Sequence, residues 1–160
     1  MSRKLELAVR RNRRTKLLGE CLQRASQALR LPPEQIELAS LEQTDSVRSK
    51  YGPARVRAER ERNEPRRTFV KTPSREVLER TFGDLKARFP VVPMYLFLNQ
   101  SEYCGAVRVE SSVILDHVLD IISLDDQDLL TCTEDGSVGL FCAHVTERAD
   151  GPVYRFQAWY

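Results

Sequence analysis

Apolar residues recur along this chain with two periods, and the change between them divides it. Leu17, Leu18, Cys21, Leu22, Ala25, Ala28 and Leu29 follow at three- and four-residue steps, the spacing of one helical face. Between Leu5 and Leu31 only Gly19 disfavours a helix, at a tolerable cost. The pattern predicts one long N-terminal helix, stopped by Pro32 and Pro33. The segment from Glu34 to Leu41 reads as a short helix with Pro33 in its first turn, although Ile36 and Leu38 alternate as in a strand. Together these residues, 1–41, form an N-terminal helical region.

Residues 42–67 lose the pattern. They hold few apolar side chains and two prolines, Pro53 and Pro65, and read as a charged linker or arm. The run from Ala54 to Asn63 alternates in charge sign, as a solvated helix can.

Pattern returns in residues 68–160, which read as one domain. Thr72, Pro73 and Ser74 make a helix start, and Leu78, Phe82, Leu85 and Phe89 follow at steps of four, three and four. Pro90 ends that helix. Val91 to Leu98 is almost continuously apolar, as in a strand covered on both faces. Gly105 to Val109 returns as a second strand. Ser111 or Ser112 caps a further helix whose buried stripe is Ile114, Leu115, Val118, Leu119 and Ile122. A meander closes the chain: Leu129–Thr133, a turn with Asp135-Gly136, Val138–Val145, a turn near Gly151, and Val153–Tyr160. Phe141, Ala143 and Val145 share one face of their strand and Cys142 and His144 the other. Arg155, Gln157 and Trp159 lie on one face of the last strand, opposite Tyr154, Phe156 and Ala158. The order α-β-β-α-β-β-β predicts an α+β fold with a mainly antiparallel sheet and helices on one side, preceded by the long basic helix.

Charge sharpens this division. Residues 1–100 carry 22 Lys/Arg against 12 Asp/Glu, and residues 101–160 carry 3 against 11. The overall charge of +2 hides two opposite fields, and fields of this kind speak to partners rather than to chemistry. No apolar run approaches the ~18 residues of a membrane span, and no secretory h-region occurs, so the chain reads as cytoplasmic, without a membrane role.

Candidate chemistry is sparse. Cys21, Cys104, Cys132 and Cys142 form no CxxC pair and read as reduced thiols acting as small hydrophobes. Cys104 with His117 or His144 is the one arrangement offering a nucleophile and base, and no signature surrounds it. Cys132, Cys142 and His144 have zinc-ligand types without zinc-module spacing. The seven glycines make no phosphate loop. No catalytic residue, cofactor or metal is therefore assigned.

Two binding readings remain. Asp116, Asp120, Asp125, Asp126, Asp128, Glu134 and Asp135 concentrate where basic residues nearly vanish. They predict an acidic face for a basic protein partner, with Tyr103 and Trp159 as aromatic anchors. Alternatively Arg10, Arg11, Arg13, Arg14, Lys16, Arg55 and Arg57 neutralise phosphates of a nucleic acid.

The stretch from Met94 to Tyr160 resembles small α+β immunity proteins of bacterial toxin–immunity systems. The shared features are the YLFLNQ strand, the polar turn, the acid-flanked helix ILDHVLDII and the final acidic meander with its aromatics. The resemblance implies a non-enzymatic, cytosolic protein that binds one toxin or nuclease domain and covers its basic active site. It covers about 65 residues and leaves the first 70 unexplained.

Overall fold

The computed structural model describes residues 3–125, 128–147 and 151–160. Helix α1 spans Arg3–Leu29, as the periodicity predicts. A single 3-10 turn, Pro33–Gln35, is followed by a two-residue strand β1, Glu37–Leu38. The ambiguous segment is thus a turn and then a strand, with Leu38 registered on Val107.

Residues 42–67 correct the linker expectation. Leu41–Arg60 is helix α2 and Arg67–Thr72 is strand β2. Ser40 opens α2 with a capping box: its hydroxyl accepts from the Gln43 backbone N–H, and its own N–H donates to the Gln43 side chain. Leu41, Thr44, Val47, Tyr51 and Ala58 are the buried face. That stripe has helical spacing, but Thr and Ala supply much of it, so it carries little hydrophobic signal. Pro53 inside the helix costs about 3 kcal/mol, which burial of Val47 and Tyr51, at about 1.5–3 kcal/mol each, offsets.

The remaining elements are α3 (Arg75–Lys86), β3 (Pro93–Leu96), α4 (Ser101–Cys104), β4 (Val107–Glu110), α5 (Ser111–Asp116), α6 (Val118–Asp125), β5 (Leu129–Cys132), β6 (Gly139–Glu147) and β7 (Gly151–Trp159). The helix expected after Ser111 is broken at His117 into α5 and α6. All strands join one antiparallel sheet in the order β1-β4-β3-β5-β6-β7-β2. The mainly antiparallel α+β expectation holds, and β1 and β2 extend the sheet at its two edges.

Helices cover both faces, which corrects the expectation of helices on one side. On one face Met94, Leu96, Leu129, Leu140, Cys142, Phe156 and Ala158 pack with α1, α3, α5 and α6 through Leu29, Leu78, Phe82, Ile114 and Ile121. On the other, Tyr95, Phe97, Cys132, Phe141, Ala143 and Trp159 pack with Val47, Tyr51 and Ala58 of α2. β3 is therefore covered on both faces, as its continuous apolar run predicts.

Cysteine usage also differs from expectation. Cys21 of α1 and Cys104 of α4 form a disulfide, while Cys132 and Cys142 are free and buried. Burial pushes each of these two thiols up to about 12, leaving them inert neutral hydrophobes at neutral pH.

Candidate docking cleft

Among the described residues, most of the acidic side chains expected to form the face already have partners of their own. Asp116 is held by Lys86 of α3. Asp120 is held by Arg30, 3.0 Å away, and by His117 at 3.2 Å, and the His117 hydrogen bond together with the Arg30 charge holds its carboxyl below the usual range. Asp135 accepts from the Thr133 hydroxyl at 2.7 Å and from the Ser137 N–H and hydroxyl, which lowers its pKa to about 2. It is a turn-former at the β5–β6 hairpin. Glu134 lies at that same turn, where its carbonyl accepts from Lys50 Nζ. Asp125 ends α6, and its side chain, like Asp126, lies outside the described residues.

Asp128 stands apart. It immediately precedes β5, so the length of that strand, more than about 13 Å, separates it from Glu134. Among the described residues it makes no hydrogen bond and no ion pair. Its side chain is exposed, yet partial desolvation of the carboxyl raises its pKa, opposed by the charge of Arg55.

The sheet explains this position. β6 runs nine residues, but β5 pairs only with Gly139–Cys142. Beyond Cys142 one edge of β6 is left without a β5 neighbour, and Asp128 sits at that step. A cleft of about 220 Å³ opens there, lined by Leu119, Ile122, Ser123, Asp128, His144, Tyr154 and Arg75. The rings of His144 and Tyr154 stack at 4.6 Å, and Arg75 is engaged with Glu79. An apolar wall, two stacked rings and a carboxylate without a hydrogen bond or ion pair among the described residues suit a cation on an aliphatic stem, the shape of lysine or arginine.

A second cleft of about 270 Å³ shares Asp128 and His144 and lies on the α2 face, against Arg55, Phe69, Phe141 and Gln157. Sequence reasoning reached Asp128, but not His144 or Tyr154 as parts of one cleft. The alternation in β6 and β7 put those two rings on one face and was the available signal.

The proposed aromatic anchors are placed differently. Trp159 is 2 % exposed, beneath Tyr51 of α2, and its indole N–H donates to the Gly136 carbonyl at 3.0 Å. This corrects its role to core packing. Tyr103 is half-buried under the guanidinium of Arg13, 4.2 Å from the ring centre.

The basic residues are drawn inward. Arg10 makes a bidentate pair with Asp45 at 2.7 and 2.9 Å and donates to the Glu102 carbonyl. Arg11 pairs with Glu42. Arg55 stacks on Phe141 at 3.9 Å. Arg14 is half-buried, and Lys16 and Arg57 are exposed. The Arg10–Asp45 and Arg11–Glu42 pairs lie within residues 1–100, and the contacts that join the two charged halves include Arg10 to the Glu102 carbonyl, Arg30 to Asp120 and Lys86 to Asp116.

The catalytic and metal alternatives are not assembled either. Cys104 is bridged to Cys21, and Cys132 and Cys142 lie in the cores on opposite faces of the sheet. Among the described residues no group of three His, Cys, Asp or Glu is placed to hold a metal. No helix among them is long and apolar enough to cross a membrane. No protein-family model, curated protein or solved structure matches the chain.

Proposed function

We propose that this chain is a non-enzymatic binding protein that docks a basic protein partner, a toxin or nuclease domain, at the cleft marked by Asp128. The observation that carries this reading is the place of that carboxylate, in the lining of the cleft beside Leu119, Ile122 and the stacked rings. Asp116, Asp120 and Asp135 already have partners, whereas Asp128, among the described residues, lines the cleft with no hydrogen bond or ion pair and feels only the charge of Arg55. An exposed carboxylate without a direct partner gains a charge-assisted contact once a cation enters the cleft. A lysine or arginine of the partner would lay its stem along Leu119 and Ile122 and set its charge on Asp128.

The mode of action is occlusion: a cationic side chain of the partner's basic site is withdrawn into the cleft. A cytoplasmic location fits a protein that meets such a partner inside the cell. The Cys21–Cys104 bridge is the feature that favours an oxidising compartment instead.

The test is affinity capture from the native host, with the wild-type chain, Asp128→Asn and Glu134→Gln immobilised in parallel. One basic protein should be retained by wild type and by Glu134→Gln. Its affinity for Asp128→Asn should fall at least about thirtyfold, the scale for removing one member of a charge pair that becomes buried on binding. Recovery of nucleic acid alone, or capture indifferent to Asp128, overturns the reading.

A further inference from the structure

Within the second cleft, Gln157 is 4 % exposed, and its amide Oε1 is buried without a hydrogen-bond partner. A buried acceptor left unpaired costs the fold its desolvation. Such a group calls for an explanation, and none comes from the packing around it. Gln157 is registered on Phe141 of β6 and on Phe69 of β2, so an aromatic ring flanks it on either side. β2 is the last strand of the sheet, and Phe69 on it is 38 % exposed. The Phe141 ring is topped by Arg55. The charged groups at the cleft balance: Arg55 and Arg155 against Glu59 and Asp128. The site therefore selects neither an anion nor a cation.

We propose that this cleft receives a neutral aromatic side chain carrying an O–H or N–H donor, a tyrosine or tryptophan of the protein partner. The ring lies between Phe69 and Phe141, and its donor reaches Gln157 Oε1. That oxygen is closed to solvent, so a side chain lining the cleft shifts as the ligand enters. The source of the ring rests on the docking reading above, because the two clefts share Asp128 and His144. A cation on one side and an aromatic anchor on the other are the residue types in which interface energy concentrates.

The experiment needs no partner. The ¹⁵N-labelled full chain is titrated with p-cresol, the tyrosine side-chain analogue, and with toluene, which has the same ring and no donor. Shifts should map to Phe69, Phe141, Ala143 and the Gln157 side chain. Affinity for p-cresol should exceed that for toluene about two- to tenfold, the value of one hydrogen bond. In Gln157→Leu that preference should vanish while the melting temperature rises, because an unpaired acceptor has gone. Equal affinities in wild type, or shifts elsewhere, overturn the proposal without reference to any variant. A fall in the melting temperature of Gln157→Leu also counts against it, since the amide would then be satisfied within the fold. Failure here leaves capture through Asp128 standing, and failure of that capture leaves the p-cresol result standing.

Discussion

Opening the Cys21–Cys104 bridge is the perturbation whose size follows most directly from the structure. The two cysteines are 83 residues apart. Loop-closure entropy for a ring of that length puts the stabilisation at about 4.5 kcal/mol, and native bridges typically deliver about 2–4 kcal/mol. The lower range is expected here. The reduced thiols stay buried, at 8 % and 1 % exposure, and α1 keeps its own anchors, Ala25, Ala28 and Leu29, in the core. The assay is urea unfolding with and without reductant, with alkylation of the unfolded chain counting two thiols before reduction and four after. The midpoint should fall by the equivalent of about 2–4 kcal/mol. The slope should rise, because the unbridged denatured chain exposes more surface. A change under about 0.5 kcal/mol with four thiols labelled would refute the reasoning. So would four thiols labelled before any reductant is added.

Three further substitutions probe how the fold builds the docking end and its support. Thr44 is fully buried, donates to the Ser40 carbonyl at 2.8 Å and accepts from the Ala106 N–H at 2.9 Å; Thr44→Val should cost about 1–3 kcal/mol by orphaning that N–H, read by thermal unfolding. Gly139→Ala would set a Cβ 2.1 Å from the Trp159 ring, so a loss of about 1–3 kcal/mol and an altered native Trp fluorescence are expected. Asp135 has a folded pKa depressed to about 2, so its contribution is complete above the unfolded value of about 4 and is lost as pH falls towards 2. Asp135→Ala should therefore lower stability by about 1 kcal/mol at pH 7 and match wild type near pH 2, measured by urea unfolding across that window.

What the sequence made legible was what local pattern controls. The stripe of α3, the doubly covered β3 and the facing of β6 and β7 all follow from spacing alone, and each is as expected. Helix α2 was hidden because its buried face draws on Thr44, Ala54 and Ala58, which carry little hydrophobic weight, and because Gly52-Pro53 reads as a break. Strand β2 was hidden by its own charge, since Arg67 and Lys71 alternate with Thr68 and Val70 on an edge, where polar residues are expected. The bridge could not be found from spacing, because four cysteines allow several pairings and none. Seven acids looked alike in sequence. They differ because Lys86 and Arg30 reach two of them from elements 30 and 90 residues away.

That pairing changes how the charge split acts. The basic and acidic halves are read from sequence as two fields, but the fold sets them against each other. Arg30 lies on Asp120, Lys86 on Asp116, and Arg10 reaches the Glu102 carbonyl. Beyond a Debye length of about 8 Å such pairs nearly cancel, so long-range steering is weaker than a net of −8 over residues 101–160 suggests. On the proposed reading, binding then depends on the short-range contact that the partner's cation makes with Asp128. A steered or phosphate-like interaction loses several orders of magnitude between ~50 and ~200 mM salt. A single desolvated pair is screened far less. The affinity of the captured partner should accordingly fall less than about tenfold across that range, while Asp128→Asn lowers it at every salt concentration. A steep salt dependence that survives Asp128→Asn would place the binding energy in diffuse surface charge, and the cleft would lose its role.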